Sequence, residues 1–523
     1  MPRNRPNLEL RFPTAGVVRR RGYADPLPRD GPYPTPWATN VRPEDPGTRR
    51  VRGGARPGLT KQLDGALGTA IPAMTRVVTA APDALDEVLV ALVDGELTVV
   101  DGSTATSPRG ALATEAGLLL LTEGGQVLLA GSGSVPTGDV VLASRNQWVY
   151  AIRAAGVTAI HARTGVVDTL TTPAGCTHGC VYRDRLVLAG ADNAIFASRQ
   201  GDPTDWDYGA DAEDAGRAVA FQLAEAAEIG DVVTALMPYA DAYLLAATSD
   251  GLWILRGDPA AEGTLRQVSR HVGAVGPTAW CQVEGSLVFL ARDGLYRVGA
   301  DGSDLTPLSE QSLPQELQDL DGGTTSIALV YSHSERGVYL FLTPATGAGT
   351  HWFYDLVSGG FWPDIYQEDH QPQSACQYGQ HVLLAGQDGY LRRIGGDDDD
   401  GEAIPSHLLL GPVRFGPATV TGLMREVVAA LGEESGTVHW RVITGGSAED
   451  VAERGKEAIE KHLAGDTVGA LALTRGGGTF TAGRGRVQYP RVHGVWFMVW
   501  LYSSAAWAYE WLSLDGLVAG RWR

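Results

Sequence analysis

Short apolar runs, each followed by a tight turn and a second apolar run, recur along most of the chain. Val88–Val93 precedes Asp94-Gly95 and then Leu97–Val100, and Tyr243–Ala247 precedes Asp250-Gly251 and then Leu252–Leu255. Leu287–Ala291 with Asp293-Gly294 and Leu295–Val298, and Val382–Ala385 with Asp388-Gly389 and Tyr390-Leu391, repeat the pattern. Asp-Gly supplies the positive backbone dihedrals of a two-residue turn, so each unit is predicted to be a β-hairpin. Weaker versions stand at Glu123-Gly124-Gly125, Asn146-Gln147, Asp192-Asn193 and Glu335-Arg336-Gly337. Asp250 and Asp293 are 43 residues apart, near the length of one four-stranded propeller blade. A sandwich would end after about nine strands, whereas these hairpins run from about residue 85 to about 395. The predicted fold class is therefore all-β, an irregular β-propeller of about six or seven blades, because a ring of blades leaves only short, protected edges.

The flanks divide the rest. Residues 1–80 read as an extended basic N-terminal arm, 81–396 as the propeller, 397–403 as an acidic linker and 404–523 as a C-terminal β domain containing one short helix. That helix is predicted from Ala448 to Leu463, with Val451, Ala452, Ile459 and Leu463 set among charges and Gly465 as the stop. Strands are predicted at Val438–Thr444, Ala470–Leu473, Val495–Tyr502 and Trp507–Leu514. In the third of these both alternating sets are apolar, Trp496, Met498 and Trp500 on one side and Val495, Phe497 and Val499 on the other, so it is expected to be covered on both faces. The interruptions at Ser503, Ser504 and Glu510 argue against a membrane span there, and no membrane insertion is expected.

Charge sharpens the picture. The net charge is −19, yet residues 1–61 hold 13 Lys and Arg against 5 Asp and Glu, which leaves 29 against 56 in the remaining 462. A basic arm on an acidic body suggests a segment that docks on an acidic neighbour, the alternative being a solvated tail. The acidic body disfavours tight nucleic-acid binding, although a carboxylate-lined channel would let DNA pass without sticking. Met1–Arg21 is broken by arginine and proline and has no apolar core of the kind a secretory signal needs, and four cysteines are too few for a disulfide framework. Synthesis in a reducing cytoplasm is expected.

No pattern that carries chemistry emerges. Cys176 and Cys180 bracket His178, but no second ligand pair lies near, so they read as small buried thiols. The acidic run Asp397–Glu402 fails as a calcium loop: with Gly401 as the turn glycine, the first and twelfth positions fall on Gly396 and His407. His351, His370, His381 and His493 stand alone, and there is no phosphate loop, His-Glu-x-x-His motif or nucleophile elbow. Ser198–Trp206 lacks the residue order of a sialidase aspartate box and reads as a loop in which Pro203 fixes a turn and Trp206 packs on a blade edge. Neither catalytic activity, cofactor nor metal is expected.

Two stretches, Thr35-Pro36-Trp37-Ala38-Thr39-Asn40-Val41-Arg42-Pro43-Glu44-Asp45-Pro46 continuing to Arg52–Leu59, and Ala197-Ser198-Arg199-Gln200-Gly201-Asp202-Pro203-Thr204-Asp205-Trp206, resemble the propeller-containing tail nozzle, or tail tubular, proteins of short-tailed bacteriophages. A looser likeness runs through Leu252–Pro259 and the terminal Trp507–Arg523. The resemblance implies a structural protein of the virion tail: a homohexameric ring around the DNA exit channel, attached to a tail adaptor protein. Arg42, Arg49, Arg50, Arg52 and Arg56 would then be interface residues gripping a neighbouring subunit or the adaptor, the alternative being that they tie the arm to this chain's own flank. The chain is shorter than many nozzles and lacks an obvious receptor-binding insertion, which puts a role in docking tail fibres in doubt. Two other readings compete: a head-to-tail or tail-tip component of another phage type, and a monomeric propeller enzyme or glycan-binding module.

Overall fold

The structure is a computed structural model and describes residues 7–18, 23, 32–44, 52–80, 85–94, 96–101, 104–106, 140–190, 192–209, 213–223, 231–309, 312–318, 320, 322, 324–345, 347–417 and 419–521. It is all-β and propeller-like. Among the described residues there are seven four-stranded antiparallel sheets, spanning 73–106, 141–170, 178–222, 235–269, 280–307, 325–364 and 372–394. The first six take their strands in chain order. The seventh is completed by Leu59–Lys61, which pairs with Leu391–Ile394 as its fourth strand.

Apolar clusters bridge consecutive sheets. Val90 and Val149 join the first to the second, Tyr150 and Leu188 the second to the third, Val187 and Leu244 the third to the fourth, and Leu245 and Phe289 the fourth to the fifth. Leu290, Leu340 and Leu384 continue through the fifth, sixth and seventh, and Met74 and Leu383 join the seventh back to the first. Each sheet is thus buried on both faces, which is why the central strands, such as Ser286–Ala291, are apolar at nearly every position.

All four Asp-Gly hairpins form, but only at Asp94 do the strands close around two residues at the predicted place, with Val93 opposite Glu96. Ala291 pairs with Gly294 around Arg292-Asp293, and Ala385 pairs with Leu391 around five residues. Asp94, Gly294 and Gly389 have positive φ, as do Asn146, Asp192 and Arg336 at the weaker sites. Asp250 and Gly251 do not. There the Thr248 backbone N–H donates to the Gly251 carbonyl and the Gly251 N–H donates to Thr248 Oγ1 at 3.0 Å. Glycine serves a different purpose at that point: a Cβ on Gly251 would lie 2.5 Å from the Trp253 ring, which is fully buried beneath it. The turn at Glu123–Gly125 lies outside the described residues.

The C-terminal residues form two more sheets. One runs Ala38–Thr39, Ser406–Val413, Trp496–Ser503, Val438–Gly445 and Gly476–Phe480; the other runs Asn7–Leu10, Tyr509–Arg521 and Val420–Leu431, whose outer edge carries Gly483–Arg484 and Val492–Gly494. Helix α1, Ala448–Leu463, has the predicted bounds, with Ser447 as its N-cap accepting from the Asp450 N–H. It covers Trp496, Met498 and Trp500, while Phe497, Val499 and Leu501 face the other sheet, so the strand is sandwiched as its sequence requires. Ala470–Leu473, expected as a strand, instead falls in and just after a second helix, α2 (Thr467–Ala472), nucleated by the Asp466 side chain accepting from the Gly469 N–H.

The arm differs from expectation in its extent and its surroundings. The first sheet begins at Ala73, inside the span assigned to the arm, because Ala73, Met74 and Val77 carry the apolar positions of its first strand. Part of the described arm is core: Leu10, Phe12, Val17, Val41, Ala55 and Leu59 share one apolar cluster with the last three four-stranded sheets and both C-terminal sheets.

Candidate functional site: a buried arginine seam

The path of residues 35–58 is fixed by a few polar side chains. Thr35 Oγ1 donates to the Leu409 carbonyl at 2.7 Å. Asn40 takes a left-handed conformation that asparagine tolerates. Its Nδ2 donates to the Pro405 carbonyl at 2.8 Å, and its Oδ1 accepts from Arg56 Nε at 3.0 Å and from the Ile365 N–H at 2.8 Å. One amide thus ties the arm to the end of the sixth sheet and the start of the C-terminal unit. Gly58 is required by proximity, since a Cβ there would sit 1.9 Å from the Asp398 carbonyl oxygen.

Two arginines fill the space between these elements. Arg42, 2% exposed, meets Asp364 through two parallel bonds of 2.7 and 2.6 Å, and its Nε reaches Glu335 at 3.3 Å. Its guanidinium lies 4.3 Å from the Phe353 ring centroid. Arg56 binds Asp399 in the same two-pronged way, at 3.0 and 2.5 Å, donates to the Ile365 and Pro57 carbonyls, and lies over Tyr366 at 4.6 Å. With the bond to Asn40, all five donors of Arg56 are engaged. Burial disfavours the charge of both guanidinium groups, but Asp364 and Asp399 outweigh it and hold both arginines ionised more firmly than usual. Burial pushes the Glu335 carboxyl up, offset only in part by Arg42 and the Tyr339 hydroxyl.

Around this pair the polar groups continue. Arg392 reaches Asp400 at 2.5 Å and Asp388 at 2.7 Å and contacts His370. A second interlock of the same kind lies between the third and fourth sheets. There Arg185, fully buried, grips Asp258 at 3.1 and 2.9 Å and donates to the carbonyls of Ser198, Ala215, Gly216 and Arg217.

The five arginines singled out from sequence therefore have separate fates. Arg42 and Arg56 tie the arm to this chain's own body. Arg52 pairs with Glu510 at 3.1 Å nearer the surface, and Arg49 and Arg50 lie outside the described residues. The acidic run expected as a solvated linker supplies Asp399 and Asp400 to the seam, because Gly401 and Glu402 turn the chain so that both carboxylates face the arginines. Sequence reasoning missed Asn40, Asp364, Asp399 and the Arg185–Asp258 pair. The sequence offered only opposite charge in two distant segments, which does not say which carboxylate each arginine meets.

Burial shifts the thiols and several histidines. All four cysteines are free, and burial pushes Cys176 to about 11 and Cys376 to about 12. Trp206 packs beside the second and third sheets and donates Nε1 to the Pro203 carbonyl at 3.0 Å. Among the described residues no cluster of three His, Cys, Asp or Glu side chains is placed to hold a metal ion. His351 is lowered to about 4 and His407 to about 3, both by burial. His370 is lowered by burial as well.

Two outcomes follow. Arg56→Met leaves Asp399 buried without its partner and is expected to cost about 3–5 kcal/mol, whereas Arg56→Met combined with Asp399→Leu costs less. Urea titration of the four-member cycle checks this, and a single-mutant loss below about 1 kcal/mol contradicts it. The three buried histidines set a pH dependence. Their folded pKa values lie below the ordinary 6.5, so as pH falls below that value the unfolded chain takes up protons that the folded chain refuses. Stability is full above pH 6.5 and declines toward pH 4, each histidine adding a limiting slope of ~1.4 kcal/mol per pH unit. Melting temperatures from pH 7 to 4.5 should fall, less steeply in His351→Gln, and a flat profile contradicts the assignment.

No protein-family model matches the chain, and no curated protein matches it. Solved structures that it is similar to include the computationally designed Ika8 protein, at 16% identity over 64% of this chain and 99% of that one, with a TM-score of 0.36. Another is the extracellular domain of the one component system BT4673 from B. thetaiotaomicron, at 10% identity over 73% of this chain and 44% of that one, with a TM-score of 0.41. A third is the virginiamycin B lyase from Staphylococcus aureus, at 11% identity over 65% and 98%, with a TM-score of 0.37. The chain spans less than half the length of the BT4673 domain.

Proposed function

We propose that this chain is a structural subunit of a virion tail, the nozzle ring of a short-tailed bacteriophage, with six copies around an axial channel for DNA and a tail adaptor as its partner. In this reading the seven sheets close into a seven-bladed propeller. Supporting closure, strand Leu59–Lys61 completes the last sheet from the opposite end of the chain, and the first strands of the seventh and first sheets lie together.

One observation carries the reading. The stretches that resemble nozzle proteins coincide with the two interlocks: 35–59 supplies Thr35, Asn40, Arg42, Arg56 and Gly58 to the seam, 197–206 supplies the Ser198 carbonyl to Arg185, and 252–259 supplies Asp258. In this reading these residues serve to hold a body together, the role a structural component gives them. A net charge of −19 suits a passage that repels DNA. Electron microscopy of the purified protein and of particles containing it tests the proposal. Sixfold rings are expected, and single copies at every concentration, with none in particles, contradict it.

A further inference from the structure

The C-terminal unit has arginines of the opposite character to those of the seam. Between Asp466 and Glu510 lie 43 residues without one Asp, Glu or Lys, in a chain that is 20% charged, yet they include Arg475, Arg484, Arg486 and Arg491. All four are exposed, and none forms an ion pair among the described residues. The carboxylates nearest in the strand order, Glu426 and Asp515, are both taken by Arg425.

The backbone that displays them is fixed. Gly476–Phe480 is the outer strand of one C-terminal sheet, and Gly483–Arg484 and Val492–Gly494 lie on the outer edge of the other. Between them Gln488 and Val427 exchange two backbone hydrogen bonds of 2.9 Å, and the Gly485 N–H donates to the Ala429 carbonyl. A single segment thus covers one edge of both sheets. Arg484 stands opposite Ala430 and Val492 opposite Met424, a run of about 20 Å at 3.3 Å per residue. Tyr489, 60% exposed, and Val487, 39% exposed, sit among the arginines. Arginine and tyrosine without lysine, aspartate or glutamate is the composition of a protein–protein contact.

We propose that this edge docks on the acidic surface of a second copy of the chain. The inference rests on the ring reading and supplies its contact, since the arm arginines Arg42 and Arg56 are spent within the chain. Charge complementarity identifies the occupant: another copy brings a net −19, and the outward face of α1 repeats Glu449, Glu453 and Glu457 at four-residue intervals. Glu457 pairs with Lys461 at 2.7 Å, while Glu449 and Glu453 form no ion pair among the described residues. An arginine edge meeting a glutamate face on the next copy is a head-to-tail contact, the kind that closes into rings. A polyanion such as DNA would meet the same arginines but also the repulsion of the whole body.

Sedimentation of the full chain tests this. Arg484→Glu with Arg486→Glu is expected to weaken assembly at least tenfold with an unchanged melting temperature, and adding Glu449→Arg with Glu453→Arg is expected to restore it. Rings that form equally well in the arginine variant overturn this proposal and leave the ring reading standing. A wild-type monomer at all concentrations overturns both. Reversal that abolishes assembly without rescue removes α1 as the counterpart. A 20-base-pair duplex bound by the wild type and lost in the arginine variant, with assembly unchanged, assigns the edge to nucleic acid and overturns the proposal.

Discussion

Two buried ion pairs, Arg42 with Asp364 and Arg56 with Asp399, constrain the whole structure because neither charge can be buried without the other. Taking a guanidinium out of water costs several kcal/mol, and only a carboxylate in two-pronged geometry with the remaining donors filled offsets it. The partners are 322 and 343 residues apart, so the arm cannot settle until the sixth sheet and the turn after the seventh are both in place. The pairs therefore act less as sources of stability than as a condition that a single arrangement satisfies.

The same segment then does three things in turn. Asn7–Leu10 adds a strand to one C-terminal sheet, Ala38–Thr39 adds a strand to the other, and Leu59–Lys61 completes the seventh four-stranded sheet. A tail wrapped in this way converts a row of sheets and a two-sheet unit into one body with a shared core. It leaves Arg475, Arg484, Arg486 and Arg491 exposed on the segment that edges both C-terminal sheets.

Local features were legible in the sequence. The Asp-Gly hairpins, the bounds of α1 and the double coverage of Trp496–Ser503 all depend on neighbours within a few residues, where pattern and propensity speak directly. Ala470–Leu473 misled because four small and apolar residues suit either helix or strand, and the Asp466 cap decided for helix. The Asp250-Gly251 turn kept its sequence and changed its mechanism, since Thr248 closed it and Trp253 claimed the space beside the glycine. The seam was illegible for another reason: arginine and aspartate each look solvated when read alone, and nothing local says which distant carboxylate a guanidinium will meet. The arm accordingly read as a basic segment docking on an acidic neighbour and the run 397–403 as a linker, although Arg56 of the one meets Asp399 of the other.

Hydrogen exchange measured peptide by peptide in the intact chain tests this central claim most directly. If the seam locks the arm into the body, amides of residues 54–61 exchange as slowly as those of the adjoining strand His381–Gly386 and open together with them. Exchange of residues 54–61 orders of magnitude faster, with the seventh sheet still protected, would mean that the arm is an accessory and not the fastening on which the fold depends.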